Sequence, residues 1–120
     1  MPNAHRMSPH SITECVMTVF DELHDPRVLE VLLREGTAAI LECRGAAGSL
    51  RRRRLPPAVA TGVFAKMKKL AGLDVAEHRR TQRARVRILN FHGSPADFEV
   101  MTGSVATGQI MTVRRDGPRM

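Results

Sequence analysis

Residues 85–100 read RVRILNFHGSPADFEV. Arg85-Val86-Arg87-Ile88 alternates polar and apolar, Asp97-Phe98-Glu99-Val100 does the same, and His92-Gly93-Ser94-Pro95-Ala96 supplies turn residues between them. Period-two alternation on both sides of a turn predicts antiparallel strands over Arg85–Asn90 and Ala96–Met101. A further strand, Gln109–Arg114, is expected after a Gly103–Gly108 loop. The last third of the chain is therefore an antiparallel meander.

Upstream of the meander the period changes. Val59, Val63, Met67 and Leu70 recur at helical steps with Phe64 beside them, so a helix is expected over Pro57–Ala71, opened by Pro56-Pro57 and ended by Gly72. Lys66, Lys68 and Lys69 lie off this stripe, and Gly62 weakens the interior. Ala38–Cys43 and Ser49–Arg54 read as strands joined by a Gly45–Gly48 turn. Nearer the N-terminus two helices are expected. Ser11–Leu23 carries Ile12, Val16, Val19 and Leu23, and a second helix starts at Asp25-Pro26, carries Val28, Leu29, Leu32 and Leu33, and stops at Gly36. The sum is one α+β domain over residues 11–115, a mainly antiparallel sheet with helices on one face. Residues 1–10 and 116–120 are expected to be tails.

Composition narrows the classes. The chain has 120 residues, enough to bury roughly two-thirds of its unfolded surface, and 42% of them are hydrophobic. With four Phe and neither Tyr nor Trp, the core must be aliphatic, with seven Met as adaptable filler. Cys15 and Cys43 belong to no CxxC pair and no secretory leader is evident, so they are expected to be reduced thiols in the cytosol. No apolar run approaches the roughly 20 residues of a membrane-spanning helix.

Charge is unevenly placed. The net charge is +7, yet Arg51–Arg87 holds twelve basic residues against Asp74 and Glu77, leaving the remainder at −3. Such a block suits phosphates, nucleic acid, an acidic protein face or an anionic membrane surface. Successive arginines of an Arg51–Arg54 strand would nevertheless point to opposite faces and could not form one patch.

Catalytic constellations are lacking. Neither glycine loop has the GxxxxGK[ST] arrangement that holds β/γ-phosphates and Mg²⁺. His10, Cys15 and Cys43 could meet at a metal only from distant positions, so no metal site and no cofactor are expected. Cys15 reads as a core thiol, and His78 and His92 as surface residues. Asp97 and Glu99 share a strand face where Arg85 and Arg87 would neutralise them across the ladder. No enzyme is expected.

One segment is more distinctive. Leu70-Ala71-Gly72-Leu73-Asp74-Val75-Ala76-Glu77, followed by Arg79, Arg80, Gln82 and Arg85, resembles the end of the domain preceding the ATPase core in type II secretion and type IV pilus motor ATPases, the general secretion pathway protein E family. The likeness extends over roughly Pro26–Arg115. It implies a PAS-like sheet that packs on an ATPase within an oligomer, with Arg79, Arg80 and Arg85 facing a partner or the phosphates of its bound nucleotide. Gly72 and Asp74 would shape the turn, Leu73 and Val75 would pack back on the sheet, and the arginines would project.

Departures limit the carry-over. Arg83-Ala84 stands where the family has Asp-Gly, and Glu99 replaces a phosphate-directed arginine. The sequence ends in Arg114-Arg115-Asp116-Gly117-Pro118-Arg119-Met120, about where the ATPase core would start. The expectation is a non-catalytic interaction or regulatory domain, either excised from a longer protein or free-standing, with Arg83, Ala84 and Glu99 favouring the second. It would be cytoplasmic or held at the inner membrane through its partner, and would dock on a secretion or pilus ATPase or assembly protein. The competing reading is a basic nucleic-acid-binding module. Against that reading stand the missing Tyr and Trp, which leave little for base stacking.

Overall fold

A computed structural model describes residues 9–89, 95–106 and 108–116. The elements are α1 (Pro9–Glu22), β1 (Glu30–Arg34), β2 (Ile40–Gly45), β3 (Gly48–Arg54), α2 (Pro57–Leu70), β4 (Gln82–Leu89), β5 (Pro95–Val105) and β6 (Gly108–Asp116). The strands form one six-stranded sheet in the order β3-β2-β1-β6-β5-β4, and every neighbouring pair is antiparallel. Two three-stranded meanders are thus joined along β1 and β6.

The second N-terminal helix is not formed; its apolar half is the central strand β1. Asp25-Pro26 does start a structure, but it is a turn. Val28 N–H donates to the Asp25 carbonyl at 2.9 Å and Arg27 N–H to Asp25 Oδ1 at 2.9 Å. An Asx residue followed by Pro serves a turn as well as a helix start. The run that follows is apolar because Val31 and Leu33 are buried under the helices and Leu32 is buried among its neighbours on the opposite face. Continuous burial leaves no alternation to separate strand from helix. Gly36, with φ 101°, turns the chain towards β2 rather than ending a helix.

Alternation and register sort the sheet into two faces. Val31, Leu33, Leu41, Cys43, Phe98, Val100, Met111 and Val113 share one core with Val19 and Phe20 of α1 and Val63, Phe64 and Met67 of α2. Both helices therefore cover the same face. Phe20 meets Phe98 edge-on with ring centroids 4.9 Å apart. Gly62 allows close approach of the helices, since a Cβ there would lie 2.4 Å from Ile12 Cδ1. Leu32 is buried yet lies outside this core, on the opposite face, which neither helix covers.

The C-terminal strands are longer than expected. β5 runs on through Gly103 to Val105 and pairs with β6 as far as Val105 opposite Gly108, so the Gly103–Gly108 loop is mostly strand. The expected turn at His92–Ser94 lies outside the described residues.

Candidate interaction surface

α2 stops as its glycine requires. Gly72 has φ 74°, Leu73 N–H donates to the Lys68 carbonyl at 2.8 Å and Gly72 N–H to Lys69 at 3.2 Å, the paired bonds of a left-handed helix cap. Leu73 then packs on the core. Asp74 shapes the next turn by accepting the Ala76 N–H at 3.0 Å, and Gln82 clamps it, donating to its carbonyl at 3.1 Å and accepting its N–H at 2.9 Å. Glu77 accepts the N–H groups of Arg79 at 2.9 Å and Arg80 at 3.2 Å. Those two bonds hold its carboxyl below the ordinary glutamate value. Contrary to expectation Val75 does not pack on the sheet, and Leu70 leaves the stripe; both are 41% exposed.

Behind the loop lies a polar cluster that departs most from the sequence reading. Lys68 is 1% exposed. Its ammonium donates to the Glu77 carbonyl at 2.7 Å and to Gln109 Oε1 at 2.5 Å. Gln109 Nε2 in turn donates to Glu35 Oε1 at 2.6 Å and stands 2.9 Å from His78 Nδ1. Burial pushes the Lys68 pKa down, opposed by the nearby charges of Glu35, Asp74 and Glu77. His78 is exposed, as expected of a surface residue, but its ring is tied to Gln109. A signal was present: Lys68 continues the four-residue column Ala60–Phe64, and Gln109 has the parity of Met111 and Val113.

The arginines singled out for a partner separate. Arg79 and Arg80 are exposed in the loop after α2. Arg85 is on β4, facing away from the helices, with Nε 2.6 Å from Asp116. The cross-strand neutralisation is likewise partly rearranged. Arg87 pairs with Asp97 at 2.8 Å as expected, whereas Glu99 takes Arg83 at 3.6 Å. Asp116 draws Arg85 away because β6 extends past Arg114 and Arg115 to bring a carboxylate alongside.

Strand geometry also divides the basic block. Arg51 faces the helices and meets Glu22 at 2.6 Å, while Arg52 faces the other way and meets Glu42 at 3.0 Å. The block's outward strand arginines on β4 are all ion-paired. Lys66, Lys69, Arg79 and Arg80 differ: among the described residues no carboxylate pairs with them. Lys66 and Lys69 border a cleft of about 400 Å³ between α1 and α2, whose apolar lining includes Ile12, Ala65 and Val75.

Nucleophile and ligand chemistry remain unassembled. Cys15 and Cys43 are buried free thiols, and burial pushes both pKa values up, away from thiolate reactivity. Among the described residues no group of three or more His, Cys, Asp or Glu side chains is placed to hold a metal ion. No helix among them is long and apolar enough to cross a membrane. No protein-family model matches the chain, and no curated protein matches it in sequence.

Proposed function

We propose that the chain is a non-catalytic docking domain with a PAS-like sheet, which engages an acidic protein partner through the flank of α2 and the Val75–Arg80 loop. The observation that carries this reading is the split of the basic block. On the strands its charges are largely neutralised at home, whereas Lys66, Lys69, Arg79 and Arg80 carry free charge next to the apolar cleft of Ile12, Ala65 and Val75. An apolar centre with a cationic rim is the arrangement that recognises an acidic, partly apolar surface.

The Leu70–Glu77 resemblance supports a secretion or pilus motor ATPase, or its assembly protein, as that partner. In such a complex Arg79 and Arg80 are the residues able to reach nucleotide phosphates, while Arg85 would first have to leave Asp116. The domain would then act in the cytoplasm, reaching the inner membrane only through the motor.

Binding of the chain to a motor ATPase from the same cell, followed by calorimetry, tests this reading. Arg79→Ala with Arg80→Ala should weaken association by about 1–3 kcal/mol per desolvated contact, and Arg85→Ala by much less. A parallel salt series with DNA and RNA covers the competing role, in which affinity would fall steeply with salt and each basic residue would count alike. Tight nucleic-acid binding at physiological salt, with no ATPase captured, would reject the docking role.

A further inference from the structure

The face of the sheet opposite the helices carries a second recognition feature, separate from the α2 flank. Most of that face is an ionic lattice. Arg44 and Arg114 share Glu30 at 3.3 and 3.0 Å, Arg52 holds Glu42 at 3.0 Å, and Arg83, Arg85 and Arg87 each have a carboxylate within 3.6 Å. At one end the pattern stops. Register places Arg54, Ile40, Arg34, Ile110 and Gly103 side by side across β3, β2, β1, β6 and β5. No carboxylate pairs with Arg34 or Arg54 among the described residues, and Arg34 Nε is enclosed without any acceptor.

An enclosed guanidinium N–H without an acceptor is costly. Arg34 Nε itself is sealed, but the residue is only half-buried and no described carboxylate pairs with it, which leaves the outer nitrogens of its guanidinium for an acid from outside. The surroundings say which kind. Ile40 and Ile110 flank Arg34 and are half-buried, Leu32 lies in the next row, and Gly103 leaves the floor beside Ile110 low. Phe20, Phe64 and Phe98 all lie on the helix side, so among the described residues no aromatic ring faces this trough to stack a base.

We propose that the trough around Arg34 is a docking site for an extended protein segment whose sheet-facing side chains, at every second residue, alternate carboxylate and aliphatic. One carboxylate meets the outer nitrogens of the Arg34 guanidinium, a second meets Arg54, and the aliphatic side chain between them rests on Ile40. The charge order of the row, cation–apolar–cation, complements acid–apolar–acid in the occupant. This site is independent of the α2 flank, and each stands or falls alone.

The test uses the full chain, ¹⁵N- and methyl-labelled, titrated with a synthetic peptide containing Glu-Ser-Leu-Ser-Glu, with its Gln-Ser-Leu-Ser-Gln counterpart, and with a single-stranded oligonucleotide. Saturable shifts are expected at the Arg34 Nε–Hε resonance and the Ile40 and Ile110 methyls. The Gln peptide should bind at least about tenfold more weakly, as loss of a charge-assisted bond requires. Arg34→Met should abolish the response. Arg54→Gln, at an exposed edge position, should weaken it several-fold with unfolding unchanged, which keeps the test decisive should Arg34→Met fold poorly. Absence of saturable shifts at millimolar peptide would overturn the proposal. So would equal binding of both peptides, shifts confined to Ala65 and Val75, or a stronger Arg34 response to the oligonucleotide.

Discussion

Lys68 Nζ on α2 and Gln109 Oε1 on β6 lie 2.5 Å apart, in a contact that ties the final strand to the helix end from which the exposed arginines follow. The ammonium reaches no water, so Gln109 and the Glu77 carbonyl are its hydrogen-bond acceptors. Replacing Lys68 with Met keeps most of the volume but leaves both acceptors unpaired. We expect Lys68→Met to lose about 1–3 kcal/mol in denaturant unfolding. Gln109→Leu added to it should cost far less than it does alone, because the two residues form one network.

The same network dictates the protonation of His78. Lysine can only donate, so Gln109 turns Oε1 towards it; the Glu35 carboxylate can only accept, so Nε2 faces Glu35 and His78. His78 Nδ1 must then be the accepting nitrogen, with the proton on Nε2. Long-range ¹⁵N–¹H correlation near neutral pH should show that tautomer, and Gln109→Leu should remove the preference.

Gly72 should resist substitution although its surroundings are empty. Nothing lies within 4 Å of a Cβ built there, so any penalty comes from its φ of 74°. Gly72→Ala is expected to cost about 1 kcal/mol, measured by thermal unfolding, and to raise amide exchange in the Val75–Arg80 loop.

Acid should release the same loop. Glu77 is held below its ordinary value by the amides of Arg79 and Arg80, and Asp97 below its own by Arg87. Asp25 is held well below by Arg27. A carboxylate lowered on folding stabilises above its unfolded pKa and loses that stabilisation as pH falls through the folded value. Stability against these groups should be flat near neutrality and decline below about pH 4. Glu77→Gln should flatten the decline in Arg79 and Arg80 amide protection; an unchanged profile would remove Glu77 from the explanation.

Gly62→Ala separates packing from propensity. The helix gains about 1 kcal/mol, but the new methyl lies 2.4 Å from Ile12 Cδ1 and must displace it. Stability should change by less than about 1 kcal/mol, whereas affinity for the acidic partner should fall as Ile12 is pushed into the cleft.

Much of the fold could be read because exposure on one face leaves a period. β4 alternates without a break, and the α2 stripe of Val59, Val63 and Met67 is buried as its spacing implies. β1 could not be read, since in a strand held between two neighbours Val31, Leu32 and Leu33 are buried in succession and keep no polar phase. The candidate surface was legible only in its loop. Gly72 and Asp74 act locally, but whether an arginine is free depends on which carboxylate lies across the ladder. Arg85 meets Asp116 rather than Glu99 because β6 brings that partner from 31 positions away in sequence.

The join between β1 and β6 sets the order in which the molecule can be made. Glu30 pairs with Arg114 and Arg34 with Ile110, so the two central strands come from opposite ends of the fold. Until the ribosome has released β6, β1 presents a bare hydrophobic edge, and the emerging meander is a half-sheet open to any other strand. Closing so long a loop is slow compared with forming a helix or hairpin. The arginine-rich outer strands β3 and β4 can guard the finished sheet, but they lie too far from the seam to protect it during synthesis.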